Sequence, residues 1–188
     1  CEDWLEELVS HAMRPGVGAV GGRLYFPDDT IQHDGIIVGI GGVAGYAHPG
    51  LAKSESGEFG RGAVTQNCSA VTAAALAIRK SVYLKIGGLD EQNLAVAFND
   101  VDFCLRLMEA GYRNVYTPFA QLYHHESVSR GPDTDPKKAR RFEREALYMK
   151  DKWGAAIDDD VCYNPNLSLR QGFRLDLARG KRWPWQAS

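Results

Sequence analysis

No run of apolar residues in this chain approaches the roughly 20 needed to cross a bilayer, and residues 1 to 20 lack the basic-then-apolar order of a secretion signal. The sequence therefore predicts a soluble chain. Excess positive charge is also missing: 22 Lys and Arg face 24 Asp and Glu, a formal net charge of -2. That balance withholds the field that gathers nucleic acid, so no nucleic-acid partner is expected. The four cysteines, Cys1, Cys68, Cys104 and Cys162, form no CxxC pair. A zinc site built on them is therefore not expected, and reduced thiols of a cytoplasmic protein are the simpler reading. There is no GxGxxG between a strand and a helix, which removes a dinucleotide fingerprint, and no internal repeat.

What is present is a chain of 188 residues, 44% hydrophobic, enough for one sizeable core and at most a domain and a half. Its first residues, "CEDWLEELVSHAM", read as a helix with Trp4, Leu5, Leu8 and Val9 on one side, ended by Pro15 and Gly16. A chain that opens inside such an element reads as part of a longer protein. "VGAVGGRLYF" follows as a buried strand whose glycines imply close backbone approach. Residues 39 to 62 are rich in glycine and read as a long excursion with hairpin character; Tyr46 and His48 within it, and His33 before it, read as ordinary loop residues.

Residues 70 to 80, "AVTAAALAIRK", are a strand candidate, although the alanines also suit a helix. A short helix from Lys80 ends at Gly87 and Gly88, and another runs from about Asp100 to Ala110, closed by Gly111. Residues 114 to 125 are a strand region interrupted at Pro118. After the loop "ESVSRGPDTD", Asp135 and Pro136 start a helix with Phe142, Ala146, Met149 and Trp153 at helical spacing. An irregular tail is expected over 155–188, so the main unit is 1–154. Strands alternating with helices give an α/β class with a mainly parallel or mixed sheet.

The chemistry centres on "AFNDVDFCLRLMEAGYRNV", residues 97 to 115. Asp100 fits a helix cap, and Asp102, four residues before Arg106, fits an ion pair on the helix surface. Val101, Cys104, Leu105 and Met108 form the apolar stripe that faces the core. Taken with "TAAALAIRKSVYLKIGGLDE" upstream and "GYRNVYTPFAQLYHHESVSRG" downstream, the order and spacing resemble the acceptor half of inverting glycosyltransferases of family 2, the GT-A fold group. The likeness is greatest to rhamnosyltransferase and O-antigen types. It covers about Trp4 to Arg130, with an echo at "NPNLS", residues 164 to 168.

The resemblance implies a partial GT-A fold and a transfer of sugar from a nucleotide-sugar donor to a glycan or lipid-linked acceptor. It makes Asp100 the general base, with Asn99 standing where the family commonly has Glu. An acceptor hydroxyl must lose its proton as it attacks the anomeric carbon, and one carboxylate without a second as nucleophile gives inversion. Thr72, Asn99, Asp102, Ser129 and Arg130 become substrate-binding candidates by the same resemblance, although the Arg106 pair alone would account for Asp102. By the same resemblance His124 would complete a divalent-cation site, Mg or Mn, with an Asp-x-Asp motif of a nucleotide-binding half; a hydrogen-bonded structural histidine is the alternative reading. His124 and His125 are adjacent in a strand-like segment, so only one can face a given site.

Ser127, Ser129 and Arg130 resemble a lid over the diphosphate, for which the planar Arg fork is suited. The local pairs Asp100/Asp102, Asp133/Asp135 and Asp158/Asp160 follow no apolar strand, so none reads as the nucleotide motif. That half is expected to precede Trp4, leaving this part inactive alone and its open sheet edge prone to self-association. Lys137, Lys138, Arg140, Arg141 and Arg144 would suit peripheral contact with an anionic membrane at the inner face, and equally a solvated helix face, since Glu143 and Glu145 interrupt them. A non-catalytic carbohydrate-binding or assembly module that kept the fold is the rival reading.

Overall fold

A computed structural model describes residues 2–125, 136–170 and 172–179. The class is α/β, as the alternation of patterns predicts. Helix α1, Trp4–Ala12, leads into β1, Val17–Tyr25, whose nine residues are all buried. After β2, Ile31–His33, a separate hairpin is made by β3, Ile36–Val38, and β4, Ala44–Tyr46. Then come β5, Gln66–Cys68, the two-residue β6, Leu76–Ala77, α2, Lys80–Ile86, α3, Asn99–Glu109, β7, Arg113–Tyr123, and α4, Pro136–Asp158.

The main sheet runs β2-β1-β7-β5, with β6 also paired to β1. Among the described residues only the central β1–β7 pair is parallel; β2, β5 and β6 join antiparallel, so the sheet is mixed. Neighbouring strand residues point to opposite faces, and both faces are covered. Leu8 and Ala12 of α1 pack with Val17, Val20, Val115 and Ala120, whereas Ala19 and Tyr116 belong to the larger core with Val101, Phe103, Cys104 and Leu107 of α3. Within β1, Gly22 marks the closest approach: a Cβ there would stand 2.5 Å from the Ala120 carbonyl oxygen.

Pro118 does not break β7. Gly22 pairs with Thr117 and the next residue, Arg23, with Gln121, so the strand bulges around the proline and resumes. Residues 70 to 80 depart further from the expected strand. Ala73–Ala75 form a 3-10 turn and only Leu76 and Ala77 pair with β1, because the contact with β1 extends over Val20 and Gly21 alone. The buried side of α1 is Leu8, His11 and Ala12, with Leu5 and Val9 of the predicted face turned outward. Helix α4 continues past 154 to Asp158 through a kink at Trp153, where φ is -120°.

The residues after it are irregular but fixed. Asp160 accepts from the Val38 amide at 2.7 Å, the Cys162 amide at 2.7 Å and the Ser69 hydroxyl, and Tyr163 and Leu167 pack on Ile37. Burial raises the Asp160 carboxyl above its ordinary range. Among the described residues no helix is long and apolar enough to cross a membrane.

Candidate functional site

The N-terminal end of α3 and the turn at residues 72–74 meet at one place. Gly111, at φ +84°, ends α3 as its position predicts. At the other end the cap is Phe98, with φ +61° and no side-chain cap bond, so Asp100 is not the cap the sequence suggests. It sits inside the first turn, half-exposed. Its Oδ2 accepts from the Ala73 amide at 3.0 Å and its Oδ1 from the Val101 amide at 2.9 Å. The carboxylate is thus aimed by two N–H donors at a helix end, where negative charge is favoured.

Thr72 is buried beneath this contact. Its hydroxyl accepts from the Ala74 amide at 3.3 Å, and its own amide donates to Nε2 of His33 at 3.3 Å. His33 is wholly buried, with Nδ1 3.0 Å from the Gly22 carbonyl oxygen. Nδ1 must therefore carry the proton and Nε2 the lone pair, which is the neutral ring. Burial lowers its pKa, opposed by the Gly22 bond and by the charges of Asp34 and Asp100. A chain of bonds thus runs from β1 through His33 to the 72–74 turn and on to Asp100. His33 lies in a strand rather than a loop, with the rings of Tyr46 and Tyr116 edge-on to it at 5.5 and 6.3 Å.

Asp102 is a different matter from its neighbour. It has no exposed surface, and its oxygens take the Arg106 Nε at 2.8 Å, the Trp153 Nε1 at 2.8 Å and the Lys152 Nζ at 2.7 Å. The pair with Arg106 exists within α3 but is not a surface pair: the same buried carboxylate fastens α3 to α4 through Trp153 and Lys152, and the three partners leave Asp102 no face toward a substrate. Asn99 is half-buried beside Asp100 at the start of α3.

His124 stands at the end of β7. Its amide donates to the Tyr25 carbonyl at 3.0 Å and Nδ1 lies 2.7 Å from Oε1 of Gln32, which fixes the ring with Nδ1 protonated and Nε2 the remaining lone pair. That orientation suits one ligand of a cation. The described residues hold no group of three His, Cys, Asp or Glu side chains able to close on a metal, so this chain's described part fits the cation as a single contributor. No hydrogen bond or ion pair among the described residues links His124 to Asp100. Ser129 and Arg130, with Ser127, Asp133 and Asp135, lie outside the described residues.

His48, placed by the sequence in an ordinary loop, is buried. Its Nδ1 is 2.5 Å from Asp34 Oδ2, its Nε2 is 3.1 Å from Glu58 Oε2, and Phe173 stacks on its ring. It pins the glycine-rich excursion to the C-terminal segment. Glu145, read in the sequence as part of a solvated face, is also wholly buried and accepts from the Ala97 amide at 2.7 Å. Nothing in local composition marks it; only its place at i+4 from Arg141 and i−4 from Met149 puts it near the packed side of α4. The cations Lys137, Lys138, Arg140, Arg141 and Arg144 line a shallow concavity of about 500 Å³ on the same helix.

No protein-family model matches the chain. It is 52% identical over 178 residues, 94% of its length and 20% of the relative's, to the uncharacterized protein y4gI of Sinorhizobium fredii. Over 167 residues, 88% of the chain and 13% of the relative, it is 42% identical to the O-antigen biosynthesis protein RfbC of Myxococcus xanthus. It is 30% identical over 118 residues, 60% of the chain and 38% of the relative, to the N-acetylglucosaminyl-diphospho-decaprenol L-rhamnosyltransferase of Mycobacterium tuberculosis. The chain spans well under half the length of each. It is related to glycosyltransferases and to O-antigen synthesis proteins through one segment of each.

Proposed function

We propose that this chain is the acceptor-side part of an inverting, family 2 glycosyltransferase of the GT-A fold that builds a cell-surface polysaccharide. The observation that carries the reading is Asp100, a half-exposed carboxylate aimed by the Ala73 and Val101 amides at the open end of α3. In the reaction the acceptor hydroxyl oxygen attacks the anomeric carbon on the face opposite the nucleoside diphosphate. Its proton passes to the Asp100 carboxylate, and the bond from the anomeric carbon to the phosphate oxygen breaks with its electron pair. With no second carboxylate as nucleophile the configuration inverts.

Thr72 and Asn99 border the acceptor, and His124 offers Nε2 to a divalent cation. A bound Mg or Mn would neutralise charge on the leaving diphosphate. Ser129 and Arg130 are proposed to meet the same diphosphate. The remaining cation ligands and the nucleotide site belong to a portion of the protein outside this chain. The donor is a dTDP- or UDP-sugar, and the acceptor a growing glycan or lipid-linked saccharide. The cationic side of α4 supports work at the inner face of the membrane.

The test is a transfer assay on the full-length protein with a panel of nucleotide-sugars and lipid-linked acceptors, reading nucleoside diphosphate release and the anomeric configuration of the product by NMR. Acceptor-dependent release with inversion is expected. A retained configuration, or glycan binding with no turnover for any donor, would contradict the proposal, the latter favouring the carbohydrate-binding module.

A further inference from the structure

Two locally unfavourable features meet just before Asp100. Phe98 has φ +61° and ψ 6°, a left-handed conformation that costs a bulky residue energy and persists only where its surroundings impose it. The imposition comes from α4. The Phe98 ring rests on Phe142 at 5.3 Å, and the preceding amide, that of Ala97, donates to Oε2 of the buried Glu145 at 2.7 Å. The other oxygen, Oε1, has no hydrogen-bond partner among the described residues. It lies 3.8 Å from Nε of Arg141, which has none among them either.

A buried carboxylate with one oxygen unsatisfied is disfavoured, and so is the backbone it holds. A Ser or Asp cap at position 98 would start α3 without either cost. Holding the helix on the core does not explain them, because Asp102 already fastens α3 to α4 through Trp153 and Lys152. What Glu145 adds is the placement of the first turn.

We infer that Glu145 is a positioning residue for the base: through Ala97 it sets the backbone from which Asp100 reaches the acceptor hydroxyl. It touches no substrate. The inference rests on Asp100 being the base, and the experiment separates the two. Acceptor-dependent nucleoside diphosphate release is measured on the full-length protein for wild type, Asp100→Asn, Glu145→Ala, Glu145→Gln and Glu145→Asp, with thermal melting of each.

Glu145→Ala is expected to lower kcat by about 10- to 100-fold with the donor KM unchanged, the penalty for a misplaced catalytic group. Glu145→Gln keeps an oxygen for the Ala97 amide and recovers most of the rate. Glu145→Asp keeps the charge but shortens the reach, and loses kcat while melting near the wild-type temperature, so the inference stays testable even if the alanine variant does not fold. A Glu145→Asp or Glu145→Ala protein within about threefold of wild-type kcat, beside an inactive Asp100→Asn, overturns the inference alone. Loss of activity only in proportion to the unfolded fraction, or a rise in KM at constant kcat, overturns it as well. Wild-type turnover in Asp100→Asn removes the base itself, and the inference with it.

Discussion

Replacing Asp102 by Ala separates two accounts of the same residue by their magnitudes. An i,i+4 ion pair on a helix surface contributes about 0.3–0.5 kcal/mol. In the structure Asp102 has no exposed surface and receives Arg106, Lys152 and the Trp153 indole within 2.8 Å. Removing the acceptor of a buried charge cluster costs about 3–5 kcal/mol, because the partners lose their counter-charge. Arg106 keeps bonds to the Ile86 and Gly88 carbonyls at 2.8 and 2.7 Å, and Lys152 is about a third exposed, so the lower end, ~3 kcal/mol, is expected. Urea unfolding of the protein followed by tryptophan fluorescence should show the midpoint falling by about 1–2 M at an unchanged slope, for a slope of about 2 kcal/mol/M. A loss below about 0.5 kcal/mol would refute the buried fastening and restore the surface pair.

Three further outcomes follow from the packing and the charges. Because burial lowers the folded pKa of His33, the unfolded chain takes up a proton near pH 6.5 that the folded chain refuses. Stability is therefore full above that pH and falls as the pH is lowered through it; melting temperatures from pH 8 to 5 should drop less in His33→Gln than in wild type, and equal slopes would count against the neutral ring. Gly22→Ala should cost at least about 2 kcal/mol in the same urea assay, since the new methyl meets the Ala120 carbonyl at 2.5 Å, and a neutral result would mean the bulge around Pro118 yields freely. Burial pushes the Cys104 thiol to about 12 and Cys68 well above the ordinary value, so neither should take up iodoacetamide at pH 8 until denaturant is added, as read by mass spectrometry.

Elements bounded by strong local signals were legible in the sequence. Pro15 and Gly16 end α1, Gly87 and Gly111 end α2 and α3, and the stripe of Val101, Cys104 and Leu105 faces the core as its spacing predicts. Illegible features depend on partners far along the chain. The spacing of Asp102 and Arg106 announces a pair, but its burial comes from Trp153 and Lys152, some fifty residues on. Glu145 looks like one more charge in a charged stretch until α4 docks and brings it to Ala97. Residues 70 to 77 carry alanines that suit strand or helix, and β1 decides the matter by pairing with only two of them. His33 and His48 read from the sequence as loop residues in or beside a glycine-rich stretch, yet the bonds of His33 to Gly22 and Thr72 and of His48 to Asp34 place them inside.

The role of Asp100 is tested most directly by Asp100→Asn in the full-length protein, with donor binding measured by calorimetry and transfer measured by nucleoside diphosphate release. The amide keeps the shape and can still accept from Ala73, so donor affinity should stay within error. Turnover should fall by about 10²- to 10⁴-fold, the usual contribution of a general base. Wild-type turnover in that variant would contradict the account.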